Sequence, residues 1–201
     1  IVVLAFAIDG FIMNKHDFLQ NFQFSTLDVS LHQYQHLGAL KPAAVLIALI
    51  EENKQLSVVL TKRASHLKHH PGQISFPGGK MEDFDTSFIS TAIREAEEEI
   101  GLNSNNINIV GQLLPYETIS GYVVTPIIAF IDKKQNYVID KNEVAEIFQV
   151  PLQHFLDFNN HYMVTIERHR KPFSIHFMPF EHHNIWGATA VMLKDLAIQL
   201  S

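Results

Sequence analysis

The sequence predicts an α/β fold of the α+β kind, in which a mixed β-sheet is sandwiched between helices. Short apolar runs bounded by turn residues are typical of strands, and longer segments have the apolar spacing of helices. Strands and helices do not alternate strictly, so a purely parallel sheet is not favoured. The 201 residues are 47% hydrophobic and 18% charged, a balance that allows one domain with a substantial core.

The first half of the chain contains two predicted helices and several short strands. In chain order we expect a helix over 16–25, a strand hairpin over 43–52 and 56–64, a loop over 66–73, and a short strand over 74–76 that enters the Pro-Gly-Gly turn 77–79. A second helix is predicted from Ser87 to Ile100, with Thr86 or Ser87 as its N-cap and Gly101 just beyond its end.

The second half repeats this mixture of elements. We expect strands over 107–118 and 122–131, a helix over 141–150 that ends at Pro151, two strands over 161–170 and 173–180, and an amphipathic helix over 185–200. The turn between the last two strands is predicted at Lys171 and Pro172. Trp186 is expected to pack in the core.

Composition excludes several kinds of protein. The net charge of −6 argues against broad nucleic-acid binding, which requires a basic excess. The absence of cysteine excludes disulfides and thiolate catalysis. The apolar run at the N-terminus is interrupted by Asp9 and is too short for a membrane span. We therefore predict no membrane association and a cytoplasmic location. We regard residues 1–36 as an N-terminal extension, with translation hypothesised to begin at Met13 so that residues 1–12 are not native.

An unusual concentration of charge lies at the end of the second predicted helix, in residues 94–101, REAEEEIG. At about 100° per residue, Glu95, Glu98 and Glu99 fall on one side of this helix. An apolar set lies on the other side and is expected to face the core: Ile89, Ile93, Ala96 and Ile100.

This carboxylate face is unfavourable in an isolated helix. Like charges at i, i+3 and i, i+4 repel by about 0.2–0.5 kcal/mol per pair, and the C-terminal end of a helix dipole favours cations. A divalent cation would reverse both effects, and carboxylate ligands suit Mg²⁺ or Mn²⁺. The preceding stretch FPGGK, residues 76–80, is a tight turn whose backbone can approach a metal-bridged pyrophosphate. The alternative is a solvated acidic face.

Residues 79–102 resemble the Nudix box, whose form is G-x5-E-x7-R-E-U-x-E-E-x-G-U, with U apolar. The matching residues are Gly79, Arg94, Glu95, Ala96, Glu98, Glu99, Gly101 and Leu102. Asp85 stands where the first glutamate belongs, and eight residues rather than seven separate it from Arg94. The resemblance extends over about residues 37–200 and implies a Nudix hydrolase domain over 37–201 with a Nudix-like mixed sheet.

The stretch before the box, residues 60–79, is similar to the signature of coenzyme A pyrophosphatases. The matching residues are Leu60, Thr61, Arg63, Ala64, Gly72, Phe76, Pro77, Gly78 and Gly79. Val59 and Lys68 depart from that signature, and Lys68 keeps the charge of the arginine that it replaces. The extra residue of the box and the aspartate at position 85 are also features of this group.

The resemblance implies hydrolysis of the diphosphate bond of coenzyme A or a derivative, to 3′,5′-ADP and 4′-phosphopantetheine. The metal would be Mg²⁺ or Mn²⁺, bound by Glu95, Glu98, Glu99 and Gly79. Arg94 would orient a glutamate. The general base would be a box glutamate such as Glu98 or a downstream one: Glu143, Glu146 or, less favoured, Glu117. Substrate-binding candidates are Arg63, Lys68, His69, His70, Gly78 and Gly79.

Three alternatives remain open at this point. The chain could act on another nucleoside diphosphate derivative such as ADP-ribose, or it could be a catalytically inactive Nudix module that senses a nucleotide. The loop HLKHH, residues 66–70, could also be an ordinary exposed polar loop. The expected partner is a small-molecule substrate, and a homodimer is a possible assembly.

Overall fold

The computed structural model describes residues 12–24, 38–132, 136–168 and 170–201. Its helices are α1 (Lys15–Phe24), α2 (Phe88–Ile100), α3 (Leu152–Leu156) and α4 (Ala188–Leu200). Its strands are β1 (Lys41–Glu52), β2 (Gln55–Arg63), β3 (Ile74–Ser75), β4 (Gly78–Lys80), β5 (Ile107–Gln112), β6 (Tyr116–Glu117), β7 (Tyr122–Ile131), β8 (Val144–Pro151), β9 (Tyr162–Arg168) and β10 (Lys171–Phe177).

Strand β1 is the centre of an eight-stranded mixed sheet. One edge of β1 pairs in parallel with β7, and its other edge pairs antiparallel with β2 and β4. Strand β2 pairs antiparallel with β3 and β8, while β7 pairs antiparallel with β5 and β6. Because β1 and β7 are buried on both faces, their sequences are continuous apolar runs rather than alternating ones.

Helices cover both faces of the sheet. Helix α2 packs on one face through Ala92, Ala96 and Ile100, against buried residues of β1, β2 and β7. On the other face, α1, α3 and α4 contribute to a larger core that includes Phe18, Phe155, Leu193, Leu196, Val58, Leu60 and Ile128. The predicted sandwich of a mixed sheet between helices is confirmed.

The ends of α2 lie where the sequence predicts them. The Ser87 hydroxyl accepts a hydrogen bond from the Ser90 N–H at 3.1 Å, and the Ser87 N–H donates to the Ser90 hydroxyl at 2.9 Å, so the two serines form a capping box. At the other end Gly101 adopts a left-handed conformation, with φ 67°. The Val138 and Asp140 N–H groups then bond the carbonyls of Ile100 and Glu99. Both helix ends are therefore satisfied.

The predicted helix over 141–150 is wrong, because residues 141–143 form a turn and the residues after it form strand β8. Residues Val144–Pro151 pair antiparallel with β2 across Ser57–Arg63, with a bulge opposite the Lys62/Arg63 step. Val144 and Val150 are buried on this ladder. The pairing satisfies the backbone of the outer edge of β2, and this tertiary ladder outweighs the local helical pattern.

Smaller differences have similar physical reasons. Lys171 and Pro172 lie within β10 and pair with β9, so they do not form the predicted turn. The single strand predicted over 107–118 is divided into β5 and β6. Ile89 is 38% exposed and Trp186 is also exposed, so neither belongs to the core. Helix α4 is buried on most of its surface rather than amphipathic, because it covers one face of the sheet.

Two predictions concern parts of the chain beyond these elements. The proposed boundary between residues 36 and 37 and the segment 1–11 lie outside the described residues. Helix α1 is described, and its Phe18 and Phe22 are buried in the core beneath α4. Within the described ranges, no helix has the length and apolar character that are needed to cross a membrane.

Gly101 and Gly72 both have a positive φ, but only Gly101 is crowded by a neighbouring side chain. A β-carbon at Gly101 would lie 2.9 Å from Cβ of Val138, whereas Gly72 has nearly the same φ, +69°, and open space around it. We expect Gly72→Ala to lower the free energy of unfolding by about 1 kcal/mol and Gly101→Ala by about 2–4 kcal/mol. Urea unfolding of both variants measures the difference. Equal losses would show that Val138 moves away at no cost.

Candidate active site

Strand β4 is closely packed on two sides, against the Glu95 carboxylate of helix α2 and against the backbone of strand β1. A β-carbon at Gly79 would lie 2.5 Å from the carboxylate carbon of Glu95, and one at Gly78 would lie 2.5 Å from the carbonyl oxygen of Ala44. The Gly78 N–H donates to Oε2 of Glu99 at 3.3 Å. The carboxylates of α2 are therefore held directly against the backbone of β4.

Glu99 is the most unusual of these carboxylates. Its side chain is 4% exposed, and its only charged contact among the described residues is Nη1 of Arg63 at 3.8 Å. Burial, with smaller contributions from nearby Glu143 and Glu95, raises the pKa of Glu99 to about 8. The Gly78 N–H and Arg63 oppose this effect. The long contact with Arg63 therefore compensates for only part of the cost of burying this carboxylate.

Arg94 connects the other two carboxylates of the motif. Its Nη1 lies 2.8 Å from Oε1 of Glu95 and 2.9 Å from Oε2 of Glu98. Glu98 is 60% exposed, whereas Glu95 is largely buried. Burial raises the pKa of Glu95, and the hydrogen bond from Arg94 opposes this effect. The guanidinium thus orients two carboxylates toward the edge of β4.

Asp85 holds the opposite side of the same guanidinium. Arg94 donates to it from Nε at 3.1 Å and from Nη2 at 2.9 Å, and the Thr91 hydroxyl and the Glu82 N–H donate to it as well. These bonds, led by those from Arg94, lower the pKa of Asp85 to about 2. The departure from the usual box at Asp85 therefore keeps a bidentate partner for Arg94.

The loop over residues 64–73, which joins β2 to β3, has both of its ends beside Arg63. The Arg63 N–H donates to the Gln73 carbonyl, the Gly72 N–H donates to the Arg63 carbonyl, and the Ala64 N–H donates to the Glu143 carbonyl at 2.8 Å. A ring nitrogen of His66 lies 3.1 Å from the Asn142 carbonyl. The base of the loop is therefore fixed next to Arg63, Glu99 and Glu143.

The structure does not bring every candidate residue into contact with the carboxylates. Lys68, His69 and His70 are exposed on the loop, and no hydrogen bond or ion pair joins them to the carboxylates in the described part of the chain. Glu117 lies on β6, which β1 and β7 separate from β4 within the sheet. Glu146 instead bonds His183.

Two features of this site were missed from the sequence. The burial of Glu99 could have been inferred, because Ala92, Ala96 and Glu99 follow the i, i+4, i+7 spacing of a core-facing stripe. The pairing of Asp85 with Arg94 depends on how the chain between them folds. Residue spacing alone does not show it.

The donor set fits a hard divalent cation. Glu95, Glu98 and Glu99 supply carboxylate oxygens beside two arginines, Arg63 and Arg94. The charge of Glu143 also raises the pKa of Glu95 and Glu99. Oxygen ligands of this kind prefer Mg²⁺ or Mn²⁺. A bound cation would also supply the positive charge that buried Glu99 lacks.

Comparison with known proteins finds a matching family model and related sequences. The model of the NUDIX domain matches residues 40–169. The chain is 34% identical over 184 residues to the protein named uncharacterized Nudix hydrolase NudL of Escherichia fergusonii, covering 92% of this chain and 93% of that protein. NudL of Enterobacter sp. strain 638 is 35% identical over the same shares. The solved Nudix hydrolase RenU of M. smegmatis is 19% identical, with a TM-score of 0.49, covering 73% of this chain and 81% of that one.

The matched segment begins just before β1 and ends just after β9, so it includes the whole eight-stranded sheet and α2. The relatives also match along nearly all of their own length. The chain therefore belongs to the Nudix family, and it is a pyrophosphohydrolase.

Proposed function

We propose that this protein hydrolyses the diphosphate bond of coenzyme A or its derivatives, to 3′,5′-ADP and 4′-phosphopantetheine or its acyl form. The observation that carries the proposal is the contact between Arg63 and Glu99. It joins the stretch that resembles coenzyme A pyrophosphatases, residues 60–79, to the carboxylates of the Nudix box. This contact supports the proposal that the substrate signature and the hydrolytic motif act together.

Nudix hydrolases generally need a divalent metal ion, and we propose Mg²⁺ or Mn²⁺ here. Glu95, Glu98, Glu99 and the carbonyl of Gly79 would hold it. When bound, the ion would neutralise charge on the diphosphate and lower the pKa of a bound water. Arg94 keeps Glu95 and Glu98 oriented for this purpose, with Asp85 fixing the guanidinium from behind.

The general base is proposed from electrostatic proximity. The charge of Glu143 raises the pKa of both Glu95 and Glu99, so its carboxylate lies near the ligands. Glu143 could therefore accept a proton from the attacking water. Glu98 remains the alternative base within the box, while Glu146 is engaged with His183.

The loop over residues 64–73 would bind the nucleotide part of the substrate. Lys68, His69 and His70 are exposed next to the fixed base of the loop, where they could contact the 3′-phosphate that distinguishes coenzyme A. Gly78 and Gly79 would allow the diphosphate to approach the backbone. The cytoplasmic location and the homodimer stay predictions, and sedimentation of the purified chain would test the assembly.

The first prediction concerns substrate and products. With Mg²⁺, we expect 3′,5′-ADP from coenzyme A, no comparable cleavage of ADP-ribose or NADH, and loss of at least about 100-fold in rate in Glu98→Gln. Chromatographic analysis of the products measures this. Glu97→Gln, an exposed glutamate on the same helix, is the matched control and should keep its activity.

Each other outcome has a definite meaning. Cleavage of ADP-ribose but not coenzyme A would keep the Nudix chemistry and overturn the substrate assigned from residues 60–79. An absence of cleavage with every substrate would favour a nucleotide-sensing module, and binding of the same compounds would then be measured calorimetrically.

The second prediction tests the loop. Lys68→Ala should raise KM for coenzyme A about tenfold, the effect of one lost charged contact of about 1.4 kcal/mol, with little change in kcat. It should leave KM for dephospho-coenzyme A unchanged, because that compound lacks the 3′-phosphate. Lys194→Ala on α4, on the other side of the sheet, is the control. Equal effects on both substrates would contradict a role of Lys68 in 3′-phosphate binding.

The third prediction follows from Glu99. Its pKa in the folded, metal-free protein is about 8, above the ordinary 4.5, so the folded state binds the extra proton. The stabilisation from this proton is fully present below about pH 4.5. As the pH rises through about 8 this stabilisation is lost, and the free energy of unfolding falls by a few kcal/mol. We expect metal-free wild type to lose stability between these pH values and Glu99→Gln to stay nearly constant.

Urea unfolding at several pH values in the presence of a chelator measures this slope. Adding Mg²⁺ should reverse the trend, since a cation favours the ionised carboxylate and its binding releases a proton. Identical slopes for wild type and Glu99→Gln would show that another group titrates.

A further inference from the structure

A second cluster of metal-ligating side chains lies away from the Nudix carboxylates. Glu146 on β8 meets His182 and His183, which lie between β10 and α4. Each side chain offers one ligand atom, and these three atoms all lie within 4.8 Å of one another. The sequence predicts Glu146 only as a candidate base and indicates no role for the two histidines.

The cluster faces the opposite side of the sheet from α2. Oε1 of Glu146 is 3.1 Å from Nε2 of His183, and the His183 ring stacks on Phe148. Phe148 packs against the core that α1, α3 and α4 share, whereas the core beneath α2 includes Val144 and Ile147. The cluster is therefore separate from Glu95, Glu98 and Glu99.

His183 is held rigidly in this position. Its side chain is 5% exposed, and its ring lies 3.6 Å from that of Phe148, centroid to centroid, with 5° between the planes. Its backbone exchanges two hydrogen bonds with Phe180, at 2.8 and 2.9 Å. Glu146 is fixed by the pairing of β8 with β2. Two of the three ligand groups are thus preorganised, which reduces the entropy lost on binding an ion.

A second imidazole lies beside this pair. The ring centroid of His182 is 4.0 Å from that of His183. Because Nε2 of His183 faces Oε1 of Glu146, an ion held between these groups would be bound through Nε2 and not through the buried Nδ1, which has no hydrogen-bond partner among the described residues.

The donor types select a different class of ion from the Nudix box. Two imidazoles and one carboxylate suit Zn²⁺ and its neighbours Co²⁺, Ni²⁺ and Cu²⁺, whereas an all-oxygen set suits Mg²⁺. His182 is exposed and Glu146 is 39% exposed, so an ion can enter from solvent. Three protein ligands also leave a fourth position for water.

We propose that Glu146, His182 and His183 form a second metal site, which binds a transition-metal ion of the Zn²⁺ class. The bound ion links strand β8 to the segment that precedes α4. This inference is independent of the proposed substrate, because none of its ligands belongs to the Nudix box or to residues 60–79.

Cobalt spectroscopy of the purified 201-residue chain tests the site. Co²⁺ bound by two imidazoles in a four-coordinate site absorbs strongly in the visible range, whereas Co²⁺ among carboxylates in a six-coordinate site absorbs weakly. In excess Mg²⁺ we expect wild type to show the strong band and Zn²⁺ to abolish it by displacement. Glu146→Gln and His182→Ala should weaken Zn²⁺ binding at least about 100-fold, since loss of even an outer-shell partner costs about 10–100-fold.

Two controls separate this site from the rest of the chain. His69→Ala removes an exposed histidine from another adjacent pair, and Glu98→Gln alters the Nudix box. Both should keep the strong band. A wild type without this band would overturn the proposal, as would a band that survives in both Glu146→Gln and His182→Ala. Neither of these two substitutions removes a fully buried side chain, so the variants are expected to fold.

Discussion

The site depends above all on the close contact between helix α2 and strand β4. Gly79 has no room for a side chain because the Glu95 carboxylate occupies that space, and the Gly78 N–H reaches Glu99. The same helix is anchored to the sheet through Ala92 and Ala96, whose small side chains permit a short separation. Small residues on helix α2 and on strand β4 therefore serve both the packing of the helix and the placement of its carboxylates.

This contact brings negative charge together, and the structure compensates for only part of it. Arg94 is bound on one side by Asp85 and on the other by Glu95 and Glu98, so it neutralises the exposed part of the cluster. Glu99 receives only a long contact from Arg63. The burial of an under-compensated carboxylate is costly in a protein without a bound ion and becomes favourable when a cation is present.

Much of this arrangement could be predicted from the sequence because its determinants are local. The ends of α2 follow from Ser87 and Gly101, and the carboxylate face follows from the helical period. The strand β8 could not be predicted in this way, because its conformation comes from pairing with β2. The burial of Glu99 and the Asp85–Arg94 pair likewise depend on tertiary contacts. Lys68 and His69 are exposed, so neither local sequence nor tertiary packing fixes where their side chains lie.

The error at β8 also explains why two glutamates have separate surroundings. In a helix, Glu143 and Glu146 would lie at i, i+3 on one face and would be equivalent candidates for the same role. Glu143 instead lies in the turn that precedes β8, and Glu146 lies within the strand, beyond its bulge. The charge of Glu143 accordingly raises the pKa of Glu95 and Glu99. Glu146 instead bonds His183 on the far side of the sheet. Strand β8 and the turn before it thus supply carboxylates to two different environments, one rich in oxygen ligands and one rich in nitrogen.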